Sequence, residues 1–333
     1  MLAPVSIGRR SFICSSTLSL WAAGAFAQMA NFPSRLVTLV VPWPAGNPTD
    51  AVARALAPLL GKDFGQPLIV ENVVGAGGAL AAQKVLNAPG DGYTMLLASS
   101  TDLIMTPLGL SAARFKSDDF RLVGLIGRTP YALAGRPDLP AADLHELLAE
   151  MRKPGAREFS YGSIGSGSLI HLAGAHFAKV AGASMLHVPY KGLPPMMQEL
   201  MGGQIDLAFL PLAGNVPAMI EQGKLRCYGV AAPSPHPRLP KLATLSSRDQ
   251  AFRGFDFDSW AALALPRTVP EPVLARVHRA FHAAMQNAPL REWLESTGSV
   301  IAPTMTQAEL DRFLAEQIKV HAALTKALGL QPT

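Results

Sequence analysis

Cysteine is nearly absent from this chain: its 333 residues hold two, Cys14 and Cys227. That count excludes both a thiolate metal cluster and a disulfide-stapled scaffold. Charge is scarce as well, at 16% of residues, against roughly a quarter in average domains. No run of Lys or Arg exceeds two residues, so the formal charge of +5 is scattered. With aromatics at 7%, the chain lacks the basic, aromatic stripe that nucleic-acid surfaces use. Complete Gly-x-Gly-x-x-Gly, Walker, His-Glu-x-x-His and Gly-x-Ser-x-Gly patterns are also missing, which removes the usual signatures of nucleotide binding, zinc proteolysis and hydrolase elbows. Disorder is excluded by a hydrophobic content of 49%. At roughly 150 residues per domain the length predicts two domains, each large enough to bury a core.

What is present begins with a leader. Arg9 and Arg10 precede an apolar stretch from Phe12 to Phe26 that ends Ala25-Phe26-Ala27, the small-x-small pattern of a signal-peptidase site. Cleavage is expected before Gln28. Arg9-Arg10-Ser11-Phe12 fits the twin-arginine route and also an ordinary Sec signal, so both export routes stay open. Cys14 follows Ile13 rather than a small residue, which argues against a lipid anchor. The leader's 27 residues hold two arginines and no acid, so its removal takes the formal charge from +5 to +3 and the length to 306. Cys227 is then the sole thiol. The apolar stretch is short for a spanning helix and no other long charge-free run follows, so the expected mature protein is soluble.

Beyond the leader, short β-branched or apolar runs alternate with helical-period segments, the pattern of α/β architecture with largely parallel sheets. Leu36–Val41, Leu68–Val70 and Thr94–Ala98 read as strands, separated by a helix over Asp50–Leu60 and a small-residue helix ending near Leu86. Two apolar runs, Leu122–Ile126 and Tyr131–Ala134, flank Gly127, Arg128 and Pro130, and the second reads as the crossing into a new lobe. That lobe holds helices over Asp143–Met151 and Ser168–Val180 and strands at Phe159–Tyr161, Leu186–Val188 and Ile205–Phe209. Leu225–Val230 reads as the return strand, with a proline-rich crossover after it. A strand over Trp260–Leu265 and helices over Pro272–Gln286 and Thr306–Leu328 complete the chain, the last opened by a Thr306/Glu309 capping box.

Two segments could carry chemistry. Pro42 to Asp50 follows the first strand at its carboxyl end, where α/β folds place ligands. Asn47 suits an N-cap, Pro48 the first helical position and Asp50 the acid of a capping box. The N–H groups of that first turn can hold a carboxylate, although an ordinary capped helix would look the same. In the second lobe, Tyr161-Gly-Ser-Ile-Gly-Ser-Gly-Ser168 lets backbone approach a ligand, with Ser168 as cap. Ser166 or Ser168 with His171 and Asp206 could in principle form a nucleophile, base and orienter, but nothing exposes the serine. Asp206 is expected to start a strand at the cleft edge. His145, His236, His278 and His282 are expected on solvated surfaces.

Taken together, these segments carry a resemblance. Leu36 to Asp50, Glu71-Asn72 with Gly75-Ala-Gly-Gly78, Asp91-Gly-Tyr-Thr94, Tyr161 to Ser168 with His171-Leu-Ala-Gly174, His187-Val-Pro-Tyr-Lys-Gly192 and Gly203-Gln-Ile-Asp206 resemble the Bug receptors, periplasmic solute-binding proteins of tripartite tricarboxylate transporters. The resemblance covers essentially the whole chain after the leader. It implies a type II periplasmic-binding-protein fold of two α/β lobes, each a mixed sheet flanked by helices. The expected division is 28–127 plus 233–333 for lobe 1 and 128–232 for lobe 2, with a ligand cleft between them. On one side of the cleft the matching residues are Trp43, Ala45, Gly46, Asn47, Thr49 and Asp50, joined by Ser99, Ser100 and Thr101. On the other they are Ser163, Gly165, Ser166, Ser168 and His171, with Asp206.

The implied function is capture of a small organic carboxylate in the periplasm for membrane permease subunits, without catalysis, cofactor, metal or nucleic acid, by a monomer. A sensor subunit docking on a signalling kinase would show the same residues, and only the partner would differ. Three positions depart from the family's habit: Asn47 replaces a usual Gly, Val73-Val74 replace Arg-Pro, and Leu210-Pro211 replace a polar pair. Asn47 can compete with a ligand for the helix N–H groups, and Leu210 and Trp43 make the cleft more apolar. An acid with an apolar or aromatic body is therefore expected rather than citrate.

Overall fold

A computed structural model of the protein describes residues 32–237 and 239–329. The leader, its arginines and its cleavage site lie outside the described residues. In chain order the first half runs β1 (Val37–Val41), α1 (Pro48–Phe64), β2 (Leu68–Asn72), α2 (Ala79–Asn87), β3 (Thr94–Ser99) and β4 (Phe120–Gly135), with short helical turns at Thr101–Met105 and Thr106–Gly109. Next come α3 (Leu144–Arg152), β5 (Phe159–Ser163), α4 (Leu169–Ala181), β6 (Met185–Pro189), α5 (Leu193–Met201), β7 (Leu207–Pro211), α6 (Val216–Glu221) and β8 (Arg226–Val230). The last part is β9 (Asp258–Pro266), α7 (Glu271–Met285), α8 (Ala288–Ser296), β10 (Val300–Ile301) and α9 (Gln307–Ala327). No helix among the described residues is long and apolar enough to cross a membrane.

The strands follow the path β2-β1-β3-β9-β4-β7-β5-β6, with β8 and β10 also pairing to β4. Within each half the outer strands are parallel, as βαβ crossovers require. β9 and β4 run antiparallel to their neighbours, so each half is a mixed sheet rather than a largely parallel one. The two apolar runs around Pro130 form one 16-residue strand. Its first part pairs with β9 and its last five residues with β7 and β8. Pro130 lacks an N–H, and it stands where the ladder changes partners, a position at which strands tolerate proline.

Packing separates the two halves. One core joins residues of 131–230 with Leu239, Leu245, Phe252, Phe255 and Phe257, whose rings meet Phe177 and Phe209. Two further cores cover the opposite faces of the first sheet. The segment 239–257 therefore packs with the second lobe, not with the first lobe to which a boundary at 233 would assign it. The prolines end strand β8 but not its core, and the chain crosses back where β9 begins. There β4 and the return segment lie side by side, with Tyr131 N–H donating to the Phe257 carbonyl at 3.0 Å. α9 makes a third connection: Leu310 and Leu314 are buried in the first lobe, while Leu324 and Leu328 pack against the second.

Gly124 marks the tightest helix-to-sheet contact. A Cβ there would lie 2.1 Å from Phe281 Cε1, inside the core where α7 meets β4. Gly124→Ala is expected to destabilise the protein by about 1–3 kcal/mol through overpacking, read as a lower urea midpoint at unchanged slope.

Candidate functional site

The loop after β1 is built around a buried carboxylate. Asn47 caps α1, its Oδ1 accepting from Thr49 N–H at 2.9 Å, with Pro48 at the first helical position. Asp50 is 2% exposed and accepts from Gly46 N–H, Asn72 Nδ2 and Arg54 Nε, each at 2.9 Å. Asn72 also donates to the Trp43 carbonyl at 2.8 Å. The hydrogen bond from Arg54 is the largest of the effects that hold the Asp50 carboxyl down at about 2. Asp50 is thus no capping-box acid and has no surface to offer a ligand. It props the loop from beneath, leaving Ala45 and Gly46 exposed and Asn47 and Thr49 half-buried.

A second loop follows β3. Ser99 and Asp102 form a reciprocal cap: Asp102 accepts from Ser99 N–H and Oγ, and its own N–H points back at Ser99 Oγ. Asp102 is fully buried and also accepts from Trp43 Nε1 at 3.2 Å, which ties the two loops together. Burial pushes its carboxyl up to about 6, against the pull of these donors. Ser100 is fully buried and cannot line a cleft, whereas Ser99 and Thr101 are half-buried.

In the second lobe, Ser168 caps α4 by accepting from His171 N–H at 3.3 Å and donates to the Gly165 carbonyl at 2.7 Å. Gly167 N–H donates to His171 Nδ1 at 3.0 Å. Ser163 Oγ lies 2.7 Å from His187 Nε2, and the rings of His171 and His187 stack 3.8 Å apart at 9°. Burial, then the neighbouring imidazole, pushes His171 down to about 4. Ser163 is fully buried and His171 is 8% exposed, so both stand behind the loop while Ser166 is exposed at its tip. His171 Nδ1 is occupied by a backbone donor, so its role here is not that of a base.

Asp206 is not at the cleft. It precedes β7 beside Ser160, at the amino edge of the parallel strands, whereas the 163–168 loop leaves the carboxyl edge. Its carboxylate is taken by Arg157 at 2.6 and 2.7 Å, Arg136 at 3.1 Å and Ser160 N–H at 2.9 Å. Among the histidines expected on solvated surfaces, His236 is buried at 2% exposure with Nε2 3.1 Å from the Gly298 carbonyl. The signal for Asp102 was legible as Ser99-x-x-Asp102, a capping-box spacing. His187 is a strand residue, and nothing local indicates that it would stack on His171.

The segments that follow the carboxyl ends of β3 and β5 approach each other from the two lobes. The loops meet at two glycines: a Cβ on Gly109 would lie 3.6 Å from the Gly167 Cα and carbonyl oxygen. A cavity of about 590 Å³ beside the interlobe crossing, lined by Arg128, His176, Phe257, Asp258 and His321 among others, is separate from these loops.

Two α/β lobes joined by shared strands, with loops at strand ends approaching each other between them, have the architecture of the periplasmic-binding-protein class. The match to the tripartite tricarboxylate transporter family receptor model over residues 52–330 places this chain in that family. A curated relative from Agrobacterium vitis, the UPF0065 protein in the TAR-I ttuE-ttuC' intergenic region, is 33% identical over 318 residues, 95% of this chain and 90% of its own. Among solved structures, the periplasmic binding protein BugD superposes with a TM-score of 0.74 at 29% identity, covering 91% of this chain and all of BugD. An R. palustris protein solved with adipate gives 0.76 at 28% identity, over 91% of this chain and 100% of that one. MatC from Rhodopseudomonas palustris, with bound malate, gives 0.72 at 29%, over 88% of this chain and 99% of MatC. Fold and family are those of solute-binding proteins.

Proposed function

We propose that this chain is a periplasmic receptor that captures a small organic carboxylate between its lobes, without turnover, and delivers it to the permease subunits of a tripartite tricarboxylate-type transporter. The observation that carries the reading is the approach of Gly109, which ends the segment after β3, to Gly167 in the Ser168-capped loop of the other lobe, which supports a site between the two lobes. The leader supports export to the periplasm, and the malate and adipate of the solved relatives support the ligand class. A micromolar dissociation constant requires about 8 kcal/mol. Hydrogen bonds to a charged group contribute about 1.5–3 kcal/mol each before association costs, so several donors from the two walls are sufficient.

Asn47 takes the Thr49 N–H for itself, and Trp43 is held at the loop base by Asp102. Leu210, expected to make the cleft apolar, is instead fully buried in the second lobe's core. The donor taken by Asn47 and the half-buried Trp43 ring are what favour an acid with an apolar body over a densely charged one. Native mass spectrometry of the purified protein, followed by calorimetry with adipate, malate, benzoate and citrate, tests this. We expect a retained small acid and at least about tenfold preference for adipate or benzoate over citrate, a difference of roughly 1.4 kcal/mol. Tight citrate binding with failure of the others would overturn the specificity. Recovery of a sensor kinase instead of permease subunits in a membrane pull-down would overturn the transport role.

A further inference from the structure

We propose that His187 is a positioning residue for the 163–168 loop: with His171, as a neutral stacked pair, it holds Ser163 and Gly167 in the shape that meets the ligand. The ligand part of this inference rests on the receptor reading above; the loop part does not. Three observations combine. Ser163 Oγ, 2.7 Å from His187 Nε2, also accepts from Gly165 N–H at 3.1 Å, so the serine links His187 to the loop backbone. Gly167 N–H ends on His171 Nδ1, four residues ahead. The two rings lie face to face at 3.8 Å, with Tyr161 against His187 at 5.1 Å.

The chemistry of that stack is restrictive. His171 Nδ1 accepts a backbone hydrogen bond, so it carries no proton and the ring is neutral with its hydrogen on Nε2. A second charged imidazole cannot be placed against a charged one at this spacing without strong repulsion. When His187 accepts at Nε2, the Ser163 hydrogen points at the imidazole and its oxygen is left for Gly165 N–H. When His187 is protonated it must donate, and the Ser163 hydrogen turns to the Gly165 carbonyl, 3.0 Å away. Gly165 N–H thus stays on Ser163 Oγ in either state, and the proton at His187 Nε2 decides whether the Ser163 hydrogen goes to the ring or to the Gly165 carbonyl, which also accepts from Ser168 Oγ at 2.7 Å. Three elements pack here: β5 contributes Tyr161, β6 His187 and α4 His171. Burial pushes Tyr161 up to about 12, so it stays neutral throughout the relevant range.

The test uses the full chain, isotopically labelled, and needs no ligand for its first reading. In His187→Leu and Ser163→Ala, amide exchange at Gly165 and Gly167 should accelerate about fivefold, the loss expected for one hydrogen bond. His187→Gln, which keeps a polar atom near the Nε2 position, should restore protection. The same Gln variant should raise the titration midpoint of His171, because on acidification its proton no longer has to be placed against a second imidazole taking up a proton of its own. Unchanged exchange in a folded His187→Leu protein, or an unmoved His171 midpoint in His187→Gln, would overturn the proposal. If His187→Leu fails to fold, Ser163→Ala and His187→Gln still decide it. Calorimetry with adipate and malate then reads the functional part, with weaker binding in Ser163→Ala and rescue in His187→Gln expected. If neither acid binds the unaltered chain, the receptor reading fails while the amide and titration results still judge His187.

Discussion

Replacing Gly109 with valine is expected to weaken organic-acid capture by about a hundredfold or more while leaving the melting temperature nearly unchanged. Gly109 has an ordinary negative-φ backbone, and the space where its Cβ would stand is bounded by the Gly167 backbone at 3.6 Å. Alanine meets that distance as normal van der Waals contact; the γ-carbons of valine do not fit between the two loops. Each lobe keeps its own core, so the cost falls on closure. A ligand held by one wall loses the donors of the other, and two lost hydrogen bonds to a charged group, at about 1.5–3 kcal/mol each, correspond to roughly two to four orders of magnitude. Calorimetry and small-angle scattering check this: Gly109→Ala should bind and close like the unaltered chain, and Gly109→Val should stay open with ligand present. Normal affinity in the valine variant would mean that closure does not bring these glycines together.

Asp206→Ala is expected to lower stability by about 2–3 kcal/mol without changing ligand affinity. The carboxylate is 6% exposed and receives Arg157, Arg136 and Ser160. Burial alone would raise its pKa, but these partners outweigh it and hold the group at about 2. A carboxyl depressed in the fold contributes stability above its unfolded value near 3.9 and loses it as pH falls toward 2. The gap between parent and variant should therefore be full at neutral pH, narrow below about pH 4 and nearly close at pH 2. Half of the Arg157 side chain is exposed and can rehydrate when its partner is removed, which keeps the loss below that of a fully buried pair. Urea titrations across pH measure the gap, and unchanged affinity in Asp206→Ala would separate this ion-pair cluster from the cleft.

Much of the fold was legible because its signals are local. LVTLVV and the small-residue run before Leu86 give β1 and α2 by alternation and period, and the Thr306/Glu309 box opens α9 as its spacing predicts. α5 was missed because Leu193-Pro-Pro-Met opens it with two prolines, which break a pattern but are acceptable in a first helical turn. The continuity of β4 was missed for a related reason: Gly127 and Pro130 read as breaks, yet both sit where the strand bulges or changes partner. The second lobe's boundary was missed because proline-rich composition marks the end of a strand, whereas a core ends only where burial does.

The candidate site divides in the same way. Asn47 and Ser168 were readable as caps because a cap is a relation among residues two or three apart, and both caps form. Residue type and spacing by themselves thus determined that two helices begin in small, polar loops after strands and that the chain is an α/β protein, while its family rests on the likeness of whole motifs to known receptors and on the family match. Only the tertiary structure decided which of those polar groups face outward. Asp50, Ser100 and Ser163 are consumed or buried inside their loops, Asp206 lies at the far edge of its sheet, and His187 reaches His171 across two elements. The physical reason is range. Capping and periodicity act within one or two turns of chain, while burial, ion pairing and ring stacking depend on segments that only the folded sheet brings together.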